Sequence, residues 1–202
     1  MLEIALTGNR YSGKTKVSKV FNGIYIPVFD ADTVMKFILN YRPDFDDAIK
    51  ANVGTFVFSH GFLDPKSFIT DSLFDRTIDV IEYDLFQAYE RFKNKYHKST
   101  YVIFESSILF ERGWDSKFDK VISVFAPKEE RVYRCKMDTD RRVDEIWTLF
   151  DKEMSELSKN NKSDYVIHNY DTGPDLLTQV NNIDLEITNY SFEKSYSDEK
   201  VS

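Results

Sequence analysis

The eight residues GNRYSGKT, 8–15, limit what this chain can become more than any other stretch. An apolar run at 2–6 precedes them and predicts a buried strand. The KVSKVF that follows continues at helical spacing. Together these make G-x-x-x-x-G-K-[ST] between a strand and a helix, the context that gives the pattern its meaning. Gly8 and Gly13 permit backbone conformations in which amide N–H groups converge on an anion, and the helix that begins there points its positive end at the same place. Lys14 has the reach for β- and γ-phosphates, and the Thr15 hydroxyl is a ligand type that magnesium accepts. The stretch predicts a nucleoside triphosphate site, with Asn9, Arg10, Tyr11 and Ser12 counted among its binding residues. Whether Arg10 and Tyr11 turn toward phosphate or solvent is left open by the sequence.

Composition narrows the class. At 202 residues the chain is long enough for one domain with a substantial core. Its net charge of −7 argues against a nucleic-acid partner, which would call for a basic face. No apolar run approaches the roughly 20 residues that span a bilayer, and the N-terminus reads as a strand rather than a signal segment. A single cysteine, Cys135, leaves no internal disulfide framework. The expectation is a cytoplasmic protein acting on a small molecule, without membrane or nucleic acid, as a monomer or weak homo-oligomer.

Strands are predicted at 2–6, 24–29, 101–105, 121–126 and 165–168. Helices are predicted from the phosphate loop to about 21, and at 33–41, 77–95, 128–137, 142–157 and 175–183. Alternation of this kind gives a parallel sheet with right-handed crossovers and helices on both faces, hence a three-layer α/β/α P-loop fold with five parallel strands. The helical stretch 61–97 exceeds a simple crossover and reads as an acceptor-binding insertion. In it Pro65 suits a first helical turn, and Phe68, Ile69, Leu73 and Phe74 are apolar. Residues 137–160 read as a closing segment, or lid, within a P-loop domain of 1–184, and 185–202 as a polar tail that frays.

A phosphate loop alone does not separate kinase, hydrolase and switch. The run at 24–29 ends in DAD, residues 30–32, where ligands bind in open α/β sheets. Asp32 is the candidate base for an acceptor hydroxyl attacking the γ-phosphate. Asp30 competes with it, and either could instead cap the next helix. Asp30 suits the cap if the helix begins at residue 31. Glu105 ends the strand expected beside the first, where an acid can hold magnesium; Glu111 is a weaker candidate for shaping an acceptor pocket. Arg131, Arg134, Lys136, Arg141 and Arg142 form a basic cluster, and Lys159 and Lys162 could close from another side. Cations near a transferring phosphoryl group help most in the transition state. His60, His97 and His168 have no metal-like spacing with Cys135.

With these residues in hand, the chain resembles the dephospho-coenzyme A kinase family. LTG at 6–8, SGKT at 12–15 and DAD at 30–32 are similar to the family's opening. GFLDPKSFITDSLF at 61–74, IFESSILFE at 103–111 and SDYVIHN at 163–169 follow in order over about residues 1–180. The resemblance implies ATP and Mg²⁺ as cosubstrate and ion, and the ribose 3′-hydroxyl of dephospho-coenzyme A as acceptor. It implies catalytic roles for Asp32, Lys14 and Arg134, nucleotide contacts from 8–15 and Asn169, and magnesium held by Thr15 and Glu105. There are departures. Small residues are usual where this chain has Asn9, Arg10 and Tyr11, Ser107 stands for a usual Pro, and Glu153 for a usual Gln. A His-Pro pair in the long helix and one of two lid arginines are missing, with Met137 and Asp138 in that area. They bear on the acceptor more than on ATP, and a basic residue inside the loop is similar to some phage deoxynucleoside monophosphate kinases. A nucleoside monophosphate kinase and a non-catalytic nucleotide-binding protein are the alternatives.

Overall fold

The computed structural model describes residues 1–41, 58–59, 62–63 and 71–199. Expectations resting on Pro65, Phe68 and Ile69 lie outside them. The elements run β1 (Leu2–Thr7), α1 (Lys14–Gly23), β2 (Val28–Asp30), α2 (Ala31–Tyr41), β3 (Phe58–Ser59), β4 (Phe62–Leu63), α3 (Asp71–Lys95) and β5 (Tyr101–Glu105). A 3₁₀ turn (Trp114–Lys117) leads to β6 (Lys120–Phe125), α4 (Lys128–Asp138), α5 (Val143–Phe150), α6 (Glu156–Lys162), β7 (Tyr165–His168) and α7 (Leu176–Glu199). The chain divides into two compact units, Met1–Phe29 with Tyr96–Ser202, and Asp30–Lys95.

In the first unit the five-stranded parallel sheet has the order β2-β5-β1-β6-β7. Side chains alternate across a strand. Leu2, Ile4 and Leu6 therefore share one face with Tyr101, Ile103, Ile122, Val124 and Ile167, and that face packs on Val17 and Phe21 of α1 and Val180, Ile183 and Ile187 of α7. On the opposite face Phe104 stacks with Phe29 and meets Trp114 edge-on. Both faces are buried, which is why these strands read as apolar runs rather than alternating ones. The parallel sheet and its order put the ends of β1, β5 and β6 side by side, with Leu6 opposite Glu105 and Ile122. That is where the phosphate loop emerges.

In the second unit α2 lies against α3. Ala31, Met35 and Ile38 are buried on α2, and Ile78, Ile81, Leu85 and Tyr89 on α3, the three- and four-residue spacing of one helical face. A short antiparallel pairing joins β3 to β4.

Three expectations change. The strand predicted at 24–29 begins only at Val28. Tyr25 takes a φ of 66°, and the amides of Tyr25 and Ile26 bond back to Asn22 and Phe21 carbonyls, so a turn ends α1 before the chain extends. The single helix predicted over 142–157 is two, separated by residues 151–155. Ser155 caps the second through Ser158 N–H to Ser155 Oγ at 3.2 Å. The last helix, predicted to end near 183, runs to Glu199. Val180, Ile183 and Ile187 are buried against the sheet, each contributing about 1.5–3 kcal/mol. Tyr101 Oη bonds Asp184 at 2.6 Å and Lys194 bonds Asp119 at 2.6 Å. That anchoring outweighs the polar composition from which a frayed tail is expected.

Candidate active site

The phosphate loop leaves β1 at Gly8 and enters α1 at Gly13, and both glycines have positive φ, 148° and 96°. Neither has room for a side chain. A Cβ on Gly8 would stand 2.6 Å from the Val124 carbonyl oxygen, and one on Gly13 1.9 Å from Asn169 Nδ2. Conformation and crowding together demand glycine here. The amides of Lys14 and Thr15 belong to the first turn, whose donors find no acceptor within an α-helix. Lys14 is buried, and its ammonium folds across the loop to the carbonyls of Gly8 at 3.0 Å and Asn9 at 3.5 Å. Thr15, one residue on, is exposed.

One rim of the loop is held by residues that follow β6 and β7. Asn169 Nδ2 donates to the Ser12 carbonyl at 2.7 Å. Arg134 donates to the Tyr11 and Ser12 carbonyls at 3.2 and 3.4 Å, to the Asn169 carbonyl at 2.9 Å, and to Glu130 at 3.1 Å. The other rim, Asn9 to Tyr11, is held by the segment 131–154. Asn9 Nδ2 donates to the Met154 carbonyl at 2.8 Å, and Arg10 N–H to Glu153 Oε1 at 3.2 Å. Arg131, 1% exposed, donates to the Arg10 carbonyl at 2.9 Å, to Glu153 at 2.8 Å and to Glu156. Tyr11 packs with Phe150 in a small apolar cluster that includes Val132, Cys135 and Ile146. Its hydroxyl donates to Asp138 at 3.1 Å. Burial, with the Cys135 and Asp138 side chains adding to it, pushes the Tyr11 phenol up to about 12. Arg10 and Tyr11 thus engage neighbouring helices of their own chain.

Glu105 closes β5 beside the end of β1. It is 4% exposed and accepts a hydrogen bond from Ser18 Oγ at 2.6 Å, one turn into α1 beyond Thr15. The two candidate magnesium ligands are thus a carboxylate and a hydroxyl, the oxygen donors that ion prefers. Among the described residues no three or more His, Cys, Asp and Glu gather as a metal site.

At DAD the structure separates the two acids. Asp30 caps α2: Oδ1 accepts Thr33 N–H at 2.8 Å and Oδ2 accepts Thr33 Oγ1 at 2.6 Å. The helix begins at Ala31, the condition under which Asp30 suits the cap, and Asp32 is half-buried in the first turn. Beyond Asn169, His168 meets Phe125 and Tyr170 edge-on, an aromatic group at the ends of β6 and β7. Sequence reasoning passed over Glu153, Asp138 and Ser18 as contacts. Their positions depend on a helix break and on strand register, which no local pattern encodes.

Sheet order, loop and buried lysine together define a P-loop protein of the three-layer α/β/α type, the architecture of small-molecule kinases. Two solved structures share the fold: a Thermus thermophilus protein (TM-score 0.78, 23% identical, 92% of this chain and 96% of that one) and the dephospho-CoA kinase from Campylobacter jejuni (TM-score 0.62, 17% identical, 93% and 97%). Residues 2–175 match the family described as dephospho-CoA kinase, and the chain belongs to that family. Relatives carrying that name include one from Aquifex aeolicus, 29% identical over 93% of this chain and 98% of its own length. Another, from Bacteroides fragilis, is 28% identical over 96% and 94%.

Proposed function

We propose that this chain transfers the γ-phosphoryl group of ATP to the ribose 3′-hydroxyl of dephospho-coenzyme A, giving coenzyme A and ADP in the cytoplasm. One observation carries the reading: a phosphate loop whose two glycines admit no side chain, with a buried lysine across its mouth, in a chain matching the kinase family over residues 2–175. The loop and first-turn amides of α1 receive the β- and γ-phosphates. Lys14 exchanges the Gly8 and Asn9 carbonyls for phosphate oxygens. Arg134, anchored on the loop carbonyls, adds positive charge beside the triphosphate. Asn169 and its aromatic neighbours border the adenine. Asp32 takes the proton of the acceptor hydroxyl as its oxygen bonds to phosphorus and the bond to the ADP oxygen breaks. Thr15 and Glu105 would hold Mg²⁺, which when bound neutralises phosphate charge.

Release of ADP, measured in a coupled assay with dephospho-coenzyme A beside a panel of nucleoside monophosphates, tests this. Turnover with a monophosphate alone rejects the acceptor; ATP binding without any turnover rejects catalysis. Asp32→Asn is expected to lower kcat at least about a hundredfold, and Asp30→Asn to act mainly on stability. The reverse result would exchange their roles.

A further inference from the structure

Among the described residues of the first unit Lys159 is a second buried lysine besides Lys14, and no step above uses it. It is 1% exposed, and a buried ammonium is strongly unfavourable unless it is paired. Its Nζ donates to the Ser107 carbonyl at 2.8 Å and pairs with Glu111 Oε1 at 2.8 Å, which accounts for two of an ammonium's donors and leaves one. Its backbone is fixed independently. Ser155 caps α6, and the next residue, Asn160, accepts Ser123 Oγ of β6 at 2.9 Å.

Both flanks of this lysine lead to the phosphate loop. Ser107 lies two residues past Glu105, in the segment that leaves β5. The turn before α6 carries Met154 and Glu153, which bond Asn9 and Arg10. The charges agree with that placement. Burial first pushes Lys159 below the ordinary lysine range; Glu111 opposes this, Lys14 reinforces it, and Glu153 opposes it again. Lys14 and Lys159, 8% and 1% exposed, are both buried on segments that meet at the loop. Two buried cations on segments that meet at one loop work against the stability of the chain by itself. They become favourable when a multiply charged anion joins them, since charge in a dry site acts strongly and needs no reorganisation.

We propose that Lys159 is a second catalytic cation, which shares with Lys14 the negative charge of the phosphoryl group in transfer. Glu111 and the Ser107 carbonyl are its positioning groups: they hold the ammonium in place before the triphosphate arrives. The assignment rests on the kinase reading above.

Calorimetry separates the two. For Lys159→Met, affinity for magnesium-ATP is expected to fall about tenfold while magnesium-ADP affinity stays within about twofold, because the contact is to the group that ADP lacks. This readout needs no acceptor, so it stands or falls apart from the identity of the substrate. In turnover, Lys159→Met should lower kcat about a hundredfold or more, and Lys159→Arg should recover part of it. The double variant Lys159→Met/Glu111→Gln removes both charges and guards against a folding defect; Glu111→Gln alone supplies its baseline. The double variant should melt near the wild type yet remain as slow as Lys159→Met. Equal losses for ATP and ADP, no loss for either, or recovery of kcat in the double variant to the Glu111→Gln level would each overturn the assignment.

Discussion

The two rims of the phosphate loop are built by different means. At Ser12 and Gly13 the backbone is pinned by a glycine with no room for a Cβ and by the Asn169 side-chain amide and Arg134 guanidinium, which donate to the Ser12 carbonyl. From Asn9 to Tyr11 the restraint comes from side chains of another segment: Arg131, Glu153 and Asp138, with Phe150 beside Tyr11. On the proposed function the first rim is part of the anion site, because the donors and the fold of the loop are the same atoms. The second holds the loop from outside and can be altered without removing a phosphate donor.

Variants break or sharpen that contrast. Lys14→Ala removes the cation that bonds the Gly8 and Asn9 carbonyls, and turnover should fall by about a thousandfold or more, read in the ADP-release assay. Arg131→Met strikes the second rim and leaves Glu153 and Glu156 without their buried partner. Stability should fall by about 3–5 kcal/mol in urea unfolding, while ATP affinity, measured below the transition, drops only a fewfold. Gly13→Ala inverts the pattern. It should cost about 1–3 kcal/mol of strain yet abolish magnesium-ATP binding in calorimetry. If Arg131→Met lost ATP as completely as Gly13→Ala, the rims would be one device rather than two.

The mildest change is Tyr11→Phe, expected to cost about 1 kcal/mol or less. It carries a pH signature. The folded phenol ionises at about 12 rather than the ordinary 10. Its stabilising share is therefore complete below pH 10 and is lost as pH rises from there through 12. Ultraviolet titration of the wild type should show a late-ionising tyrosine that Tyr11→Phe removes.

Much of this was legible in the chain itself. A loop with fixed glycines, flanked by an apolar run and a helical one, leaves one strand-loop-helix geometry. Buried parallel strands cannot avoid reading as apolar runs, so the sheet was legible too. The acidic end of the 101–105 strand gave Glu105, and the DAD segment gave both acids. What distinguishes Asp30 from Asp32 was legible only as a condition, because a cap is defined by where its helix starts. The lengths of the last helices were not legible. Ser155 ends one pattern and starts another within polar sequence, and residues beyond 183 fold because apolar neighbours 180, 183 and 187 meet a sheet assembled from distant strands.

The sequence alone determined that a triphosphate-binding loop opens a five-stranded parallel sheet, since those motifs act over a few residues and leave the backbone few alternatives. Only the tertiary structure decided what surrounds that loop: Arg131 and Glu153 outside it, Ser18 on Glu105, and Lys159 on Glu111 and the Ser107 carbonyl. Such pairings join positions tens to more than a hundred residues apart, and a buried charge finds its partner through the packing of whole elements, which no local spacing records.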